Sequence, residues 1–211
     1  MAIVLKKPPI KETVGALYLC FNKMDANNDW TETFTDEVIK SEVVKNVSVV
    51  ENVSNNKVYA SGKAYLVLAK LNNDDITVET IAFDAETLAK MRGDAVDEGG
   101  LVMTGGSKSV RPYFAFGKVV KLNGDKLRLD WYPKCKLTEN TDEIATSEDS
   151  YSEQTDKLTI SALPFDSEGH VSVYVESGVN WPSSLTEDKF FAKPLLKAAD
   201  LATAAAGGAG A

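Results

Sequence analysis

Apolar and polar residues alternate strictly over residues 126–137, which read Lys-Leu-Arg-Leu-Asp-Trp-Tyr-Pro-Lys-Cys-Lys-Leu. A period of two residues is typical of a β-strand with one buried and one solvated face. Asn-Gly-Asp at 123–125 precedes this run, and Asn-Gly between two such runs indicates a hairpin because both residues tolerate positive φ. The pattern predicts a long hairpin over 111–137. Its predicted buried face carries Leu127, Leu129, Trp131, Pro133, Cys135 and Leu137.

Pro133 lacks a backbone N–H, so this strand is predicted to lie at a sheet edge or to be bulged at that position. Apolar runs elsewhere predict further strands, and those at 42–52 and 57–69 are predicted to form a hairpin around Ser54-Asn55-Asn56. About eight short strands at this spacing are typical of a β-sandwich. The other predicted strands cover 14–21, 76–81, 158–163 and 170–176.

Two helices are predicted beside the strands. Asp84 is suited to cap a short helix over 85–92, and Gly93 is suited to end it. Ser184-Leu-Thr-Glu187 has the form of a capping box that opens a C-terminal helix, which Pro194 would kink or restart. The fold class predicted from these elements is mainly β, a β-sandwich with a short flanking helix and a C-terminal helix.

One domain is predicted, over residues 13–196. An N-terminal arm precedes it over 1–12, where Pro8 and Pro9 favour an extended path and exclude a helix. A flexible tail rich in Ala and Gly follows over 197–211. No stretch between these limits reads as a linker.

Two loops stand out by composition. The loop at 22–36 is polar and carries Trp30 and Phe34, and large apolar residues in a polar loop commonly contact another chain. Together with Pro8 and Pro9 they are the candidate contacts with other subunits, the alternative being ordinary solvated segments. Residues 138–156 hold seven acids and no Lys or Arg, which predicts a mobile solvated loop.

Composition limits the classes of partner. The chain has 211 residues, 44% of them hydrophobic, which is enough for a sizeable core. A net charge of −8 argues against a protein that grips nucleic acid, because phosphate binding needs a basic surface. Cys20 and Cys135 are the only cysteines, and both fall at predicted buried positions. Two reduced core thiols are expected, and a disulfide stays open as the alternative.

No secretory signal is recognised near the N-terminus, and the longest apolar run, 64–69, is too short to cross a bilayer. The expectation is a protein made in a cytoplasm that does not associate with membranes.

The sequence contains few residues in patterns typical of catalytic or metal sites. His170 is the only histidine, so neither a Ser-His-Asp set nor a His-rich zinc site can be built without it. Asp25, Asn27 and Asp29 have the spacing of a calcium loop, but Trp30 stands where glycine is required, which favours an ordinary turn. The glycine-rich stretch 100–109 is interpreted as a flexible loop. The sequence therefore predicts no enzyme, no catalytic residue, no metal and no cofactor.

Three passages resemble one known family. They are Lys57-Val-Tyr-Ala-Ser-Gly-Lys63; Ile76-Thr-Val-Glu-Thr-Ile-Ala-Phe83 with Leu88-Ala-Lys-Met-Arg-Gly93; and Arg111-Pro-Tyr-Phe-Ala-Phe-Gly-Lys118 with Leu127-Arg-Leu-Asp-Trp-Tyr-Pro-Lys134 and Leu158-Thr-Ile-Ser-Ala-Leu163. In this order they resemble the major tail protein, or tail tube protein, of long-tailed phages of Gram-positive bacteria. The resemblance spans 57–163, and the N-terminal arm, the Trp30 loop and the Ala/Gly tail depart from it.

The resemblance implies a structural virion protein. Subunits of that family form rings of six that stack into a tube, assembled in the host cytoplasm. In such a tube the candidate ring-to-ring contacts are the N-terminal arm with Pro8 and Pro9, the 22–36 loop with Trp30 and Phe34, and the 138–156 loop, the alternative being plain solvated loops. The implied partners are other copies, the tape measure protein, and the tail terminator and distal tail proteins. DNA passes through the lumen during ejection without specific binding. An acidic wall that repels phosphate agrees with that role.

Other interpretations stay open at this stage. Trp30, Trp131 and Trp181 could form the sugar platform of a β-sandwich adhesin or carbohydrate-binding module. A capsid decoration or head–tail connector protein, or an enzyme of unrecognised type, are further alternatives.

Overall fold

The structure, a computed structural model, describes residues 7–60, 63–106, 110–142, 144, 146 and 154–207. These residues form ten strands and three helices. In chain order they are β1 (Lys11–Phe21), β2 (Ile39–Ser41), β3 (Val44–Ala60), β4 (Lys63–Thr80), α1 (Ala85–Arg92), β5 (Ala95–Val96), β6 (Val102–Met103), β7 (Phe114–Leu122), β8 (Lys126–Thr141), β9 (Asp156–Ala162), β10 (Val173–Glu176), α2 (Glu187–Phe191) and α3 (Ala198–Ala206).

An antiparallel sheet contains eight of these strands: seven follow the order β2-β1-β7-β8-β9-β4-β3, and the eighth, β10, pairs with β8 beside this path. β8 is long enough to pair with two strands along one edge: β10 pairs with its first half and β9 with its second half. β5 and β6 form a separate small hairpin. The predicted class, a mainly β protein with sandwich-like packing and short helices, is confirmed.

The inner core lies on one face of the sheet, which curves so that strands from both of its ends contribute. It contains Leu17 and Leu19 of β1, Ile76 and Val78 of β4, and Met91 of α1. Neighbouring strands add Phe114, Phe116, Tyr132, Leu137, Leu158 and Ile160. Burial of this apolar surface is the main stabilising contribution on this side.

The outer core lies on the opposite face and is completed by the C-terminal helices. Phe191 of α2 stacks on Tyr18, with ring centroids 3.8 Å apart. The indole N–H of Trp131 donates to the carbonyl of Phe190 at 3.1 Å. Gly117 makes room for this arrangement, because a Cβ there would lie 2.6 Å from the Phe191 ring.

The predicted hairpin of β7 and β8 is confirmed, and the turn has positive φ at Gly124 and Asp125. The predicted strict alternation along β8 is wrong after Trp131. Phe116 pairs with Tyr132 and Phe114 pairs with Cys135, so β8 carries one extra residue between them. This bulge surrounds Pro133 and reverses the faces, as expected where a proline interrupts a ladder. Tyr132, Cys135 and Leu137 therefore belong to the inner core.

The β3–β4 hairpin is longer than the sequence predicted. β3 runs unbroken through the predicted turn at Ser54-Asn55-Asn56, and β4 runs unbroken through 72–75. The pairing of the two strands continues as far as Ala60 and Lys63. Polar side chains bridge the strands where turns were predicted, for example Ser54 Oγ donating to the Lys70 carbonyl.

Helix α1 is confirmed, with Asp84 as N-cap and Gly93 as C-cap at φ 69°. A side chain at Gly93 would also collide with the Val110 carbonyl. Helix α2 starts later than predicted, since Thr186 rather than Ser184 is its N-cap. A helix, α3, occupies much of the predicted flexible tail, and its Ala205 is buried in the outer core.

Cys20 and Cys135 are both buried free thiols. They lie in the outer and inner cores respectively, on opposite faces of the sheet. Burial raises the pKa of both thiols. The acidic loop predicted at 138–156 overlaps the end of β8, and much of its remainder lies outside the described residues.

Candidate assembly surface

The β3–β4 hairpin projects beyond the sheet. β9 supports β4 only from Asp74 to Thr80, whereas β3 and β4 pair with each other as far as Ala60 and Lys63. We call residues 54–70 the hairpin extension. At about 3.3 Å per residue its strands reach about 25 Å. Every side chain described within it is exposed.

The hairpin extension is apolar on both faces. The pairing Val58 with Leu66 and Asn56 with Leu68 places Val58, Leu66 and Leu68 on one face. Tyr65 and Val67 alternate with them and therefore lie on the other face. Together with Tyr59, these side chains are between 46% and 79% exposed. A run of apolar residues without alternation is typical of a strand buried on both faces, so this segment has the sequence of a buried strand in an exposed position.

The apolar area of the extension sets a limit on what it can hold by itself. Burying the exposed half of each of its six large apolar side chains would contribute about 1 kcal/mol per residue, or about 6 kcal/mol in all. Loss of translational and rotational freedom on association costs roughly 4–15 kcal/mol. A stable association therefore needs further contacts beside the extension.

Free strand edges supply a second kind of contact. β3 forms one end of the sheet and β2 the other. β2 covers β1 only from Leu17 to Leu19, so the part of β1 before Leu17 has β7 as its one strand partner in the described sheet. Unpaired backbone N–H and C=O groups along such edges are templates for pairing with another chain.

A cleft of about 680 Å³ opens between β1 and β3, and charged residues form its floor. Asp130 is 1% exposed, forms an ion pair with Lys118 at 3.1 Å, and accepts a hydrogen bond from Arg128 at 3.0 Å. The Arg128 guanidinium also lies 4.1 Å from the centre of the Tyr174 ring. Burial lowers the pKa of Lys118, and Asp130 opposes that shift. Lys118, Arg128 and Asp130 are therefore paired with one another beneath the cleft.

Asp74 is the exception in this cleft, and it gives a testable pH dependence. The residue is 5% exposed, and its Oδ1 has no hydrogen-bond partner among the described residues. Burial and the Glu51 carboxylate raise the pKa of Asp74. The folded state thus holds this proton more tightly than the unfolded state. Its stabilising contribution is full below the unfolded-state pKa of about 3.9 and is lost as the pH rises through the raised value.

We therefore expect Asp74→Asn to be more stable than the wild type at pH 7, by about 1 kcal/mol. The difference should shrink towards pH 3.5, measured by thermal unfolding at each pH. Asp75→Asn is the matched control, because Asp75 accepts hydrogen bonds from Asn52 and Asn73 and should lose stability when changed. Equal destabilisation by both changes at pH 7 would contradict the expectation.

The four predicted contact residues have different surroundings. Pro8 is exposed and Pro9 half-buried, just before β1. Phe34 is 5% exposed and belongs to the outer core of its own chain, and Trp30 packs against that core beneath Lys134. The structure thus gives an intramolecular reason for both aromatic residues. A subunit or ring contact through any of the four stays a prediction. The hairpin extension was missed, although the unbroken run 64–69 was a signal for it.

The residues considered for chemistry are engaged locally. Asp25 Oδ1 accepts hydrogen bonds from the backbone N–H groups of Asn27 and Asp29, as in an Asx turn. His170 is exposed and paired with Asp166, which raises the pKa of the imidazole. Within the described ranges, no group of three or more His, Cys, Asp or Glu side chains is placed to hold a metal ion. Nor do these ranges contain a helix with the length and hydropathy that crossing a bilayer requires.

Comparisons with known proteins identify no family for this chain. No family model and no curated protein matches this chain. Among solved structures, a chain of the "Cryo-EM structure of the anti-feeding prophage (AFP) baseplate, 6-fold symmetrised" is similar over 81% of this chain and 97% of its own length. The sequence identity is 8% and the TM-score 0.44. Similarity at this level does not support a functional assignment.

Proposed function

We propose that this protein is a structural subunit of a phage tail, which polymerises as stacked rings of six copies into the tail tube. In this role it has no catalytic activity and needs no cofactor or metal. Its main partners are other copies of itself. The tape measure, tail terminator and distal tail proteins follow as partners from the family resemblance, with the virion tail as the location.

The observation that carries the proposal is the hairpin extension. Large apolar side chains on both faces of this two-stranded hairpin remain 46–79% exposed in the single chain. Isolated two-stranded hairpins are at best marginally stable in water. A segment of this kind is favourable when neighbouring subunits enclose it, and a protein that repeats the same contact builds an assembly.

The free edges of the sheet support closure into a ring. β3 at one end of the sheet and the uncovered part of β1 at the other can pair with neighbouring copies. Repetition of one heterologous contact around a rotation axis gives a closed ring in which no edge is left exposed. The net charge of −8 suits a wall past which DNA slides, because like charges prevent phosphate from adhering.

Electron microscopy of the purified protein over a range of concentrations tests the proposal. We expect monomers or small oligomers in dilute samples and rings or tubes in concentrated ones. Size-exclusion chromatography with light scattering on the same samples gives the mass of the smallest closed species. A strictly monomeric protein at all concentrations, in low and high salt, would overturn the proposal.

The same preparation discriminates against an adhesin or carbohydrate-binding module. Trp131 is fully buried, and Trp30 and Trp181 pack against the outer core, so the three rings form no open platform for a sugar. Saturable binding to one member of a glycan array, by a protein that does not assemble, would favour the adhesin.

A further inference from the structure

The cleft between β1 and β3 has the size and position of a small-molecule site. Its volume of about 680 Å³ is within the range usual for ligand pockets, which in β proteins commonly lie at the mouth of a barrel-like sheet. Four valines form part of its wall: Val14 of β1, Val47 and Val49 of β3, and Val120 of β7. Such a strip accommodates the aliphatic part of a ligand, so recognition depends on the charged groups beside it.

Two carboxylates lie side by side in this cleft. Glu51 of β3 pairs with Asp74 of β4 directly across the ladder, and both residues line the cleft. Like charges at directly opposite positions of an antiparallel pair destabilise the sheet. The repulsion is screened poorly here, because Asp74 is 5% exposed and solvent ions do not surround it.

The cations of the cleft do not balance these carboxylates. Lys118 and Arg128 line the cleft too, but both are paired with Asp130. The three carboxylates of this group therefore carry one more charge than its two cations. Burial and the Glu51 carboxylate raise the pKa of Asp74 more than the Lys118 ammonium lowers it. The Oδ1 atom of Asp74 is buried and accepts no hydrogen bond from the part of the chain that the structure describes.

The remaining charged side chains of the cleft lie at its rim. Lys11 and Glu12 are exposed neighbours on β1, so their opposite charges largely offset each other. Lys45 is exposed and precedes Glu51 by six positions on β3, which is about 20 Å along the strand. The inner part of the cleft therefore keeps its excess negative charge.

We propose that the cleft binds a small organic cation, an aliphatic amine or guanidine, whose N–H groups donate to Asp74 and Glu51 while its hydrocarbon part lies against the four valines. A water molecule donates to a carboxylate but does not offset the repulsion between two of them, whereas a cationic donor does both. A metal ion fits less well, because no group of three or more His, Cys, Asp or Glu side chains converges within the described ranges.

The energetic cost of Asp74 supports a binding role. Asp74→Asn is expected to be more stable than the wild type at pH 7, and side chains that reduce stability are typical of functional sites. The inference goes beyond the proposed function, since the cleft is formed within a single chain and does not require assembly.

Nuclear magnetic resonance of the dilute, unassembled protein at pH 7 and constant ionic strength tests the inference. The probes n-butylamine and n-butylguanidine are compared with 1-butanol and pentanoate, which carry the same butyl chain on a neutral and a negative head group. We expect the cations to shift the backbone amide signals around Glu51, Asp74 and Lys118 with one site per chain. Their affinity should exceed that of butanol or pentanoate at least about tenfold.

A pair of variants assigns the binding to the carboxylate. Asp74→Asn keeps the size of the side chain, removes its charge, and should lower the affinity for the cations at least about tenfold. Asp142→Asn is the matched control, because Asp142 is exposed after the end of β8 and does not line the cleft. The control should bind as the wild type does. Added butylamine should raise the melting temperature of the wild type and of the control, but not that of Asp74→Asn.

The outcomes are distinct. Unchanged binding by Asp74→Asn would overturn the inference, and so would the absence of signal shifts with either cation. A preference for pentanoate would also overturn it and assign the cleft to an anion held by Lys118 and Arg128. Failure of the wild type to form rings or tubes would remove the proposed function and leave the cation site standing.

Discussion

Replacing Asp130 by alanine should destabilise the monomer by about 3–5 kcal/mol, because it leaves the buried Lys118 ammonium without its counter-ion. For a chain of this length that corresponds to a fall in melting temperature of about 10 °C. Thermal unfolding of dilute, unassembled protein at pH 7 measures it. Arg128 would also lose its hydrogen bonds to the same carboxylate.

A double variant separates charge burial from packing. Asp130→Leu with Lys118→Met removes both charges together, and replacing a buried ion pair by apolar residues is often neutral or stabilising. Arg128 remains next to Glu176, whose carboxylate is 3.9 Å from the guanidinium. The double variant is expected within about 1 kcal/mol of the wild type. A loss below 1 kcal/mol for Asp130→Ala alone would show that solvent reaches Lys118 freely.

Excising the hairpin extension should abolish assembly and leave the monomer folded. The change replaces residues 54–70 by Asn-Gly, a dipeptide suited to close a two-residue hairpin between the paired Val53 and Leu71. Neither core cluster contains a residue of the extension. We therefore expect a melting temperature within a few degrees of the wild type, and monomers at concentrations where the wild type forms rings or tubes.

A milder variant guards against misfolding of the shortened hairpin. Val58→Thr, Leu66→Thr, Leu68→Thr makes one face of the extension more polar, and threonine is β-branched and therefore favours a strand at all three positions. It should also raise the concentration needed for assembly. Rings or tubes formed at the wild-type concentration by both variants would show that the extension is dispensable and that the free edges alone hold the assembly.

Local patterns were enough to predict much of the fold. The 123–125 turn and helix α1 with both of its caps follow from residues that are neighbours in sequence, and the structure confirms them. The register of the β7–β8 hairpin also brings two opposite charges together. An Asn-Gly turn at 123–125 pairs Lys118 with Asp130 directly across the two strands, and opposite charges at paired positions indicate an ion pair.

Asp130 was predicted to lie on the polar face of β8, because this strand was interpreted as buried on one side only. The sheet instead curves around an inner core while α2 and α3 cover its outer face, so both faces of β8 are buried. Such covering depends on contacts between residues far apart in sequence, for example Trp131 with Phe190. Period-two patterning cannot distinguish a charged face in water from a charged face that is buried and paired.

The hairpin extension was not predicted, because the turn between β3 and β4 was predicted at the wrong residues. Ser54-Asn55-Asn56 has turn composition, yet in the structure this stretch lies within β3 and Ser54 bonds to Lys70 across the hairpin. Ser61-Gly62, the two residues between the paired Ala60 and Lys63, is also a turn dipeptide. Long pairing with the neighbouring strand outweighed the local preference of the asparagines.

The dependence of the outer core on α2 and α3 has a consequence for biosynthesis. Residues 54–70 leave the ribosome long before residues 185–205 are made. The apolar hairpin is therefore exposed at a time when α2 and α3 do not yet cover Tyr18 and Trp131. Each nascent chain on a messenger RNA therefore exposes two apolar surfaces. Premature association of neighbouring nascent chains through these surfaces competes with correct folding. Only the finished polypeptide can cover the outer face of the sheet, while residues 54–70 stay exposed in the folded chain.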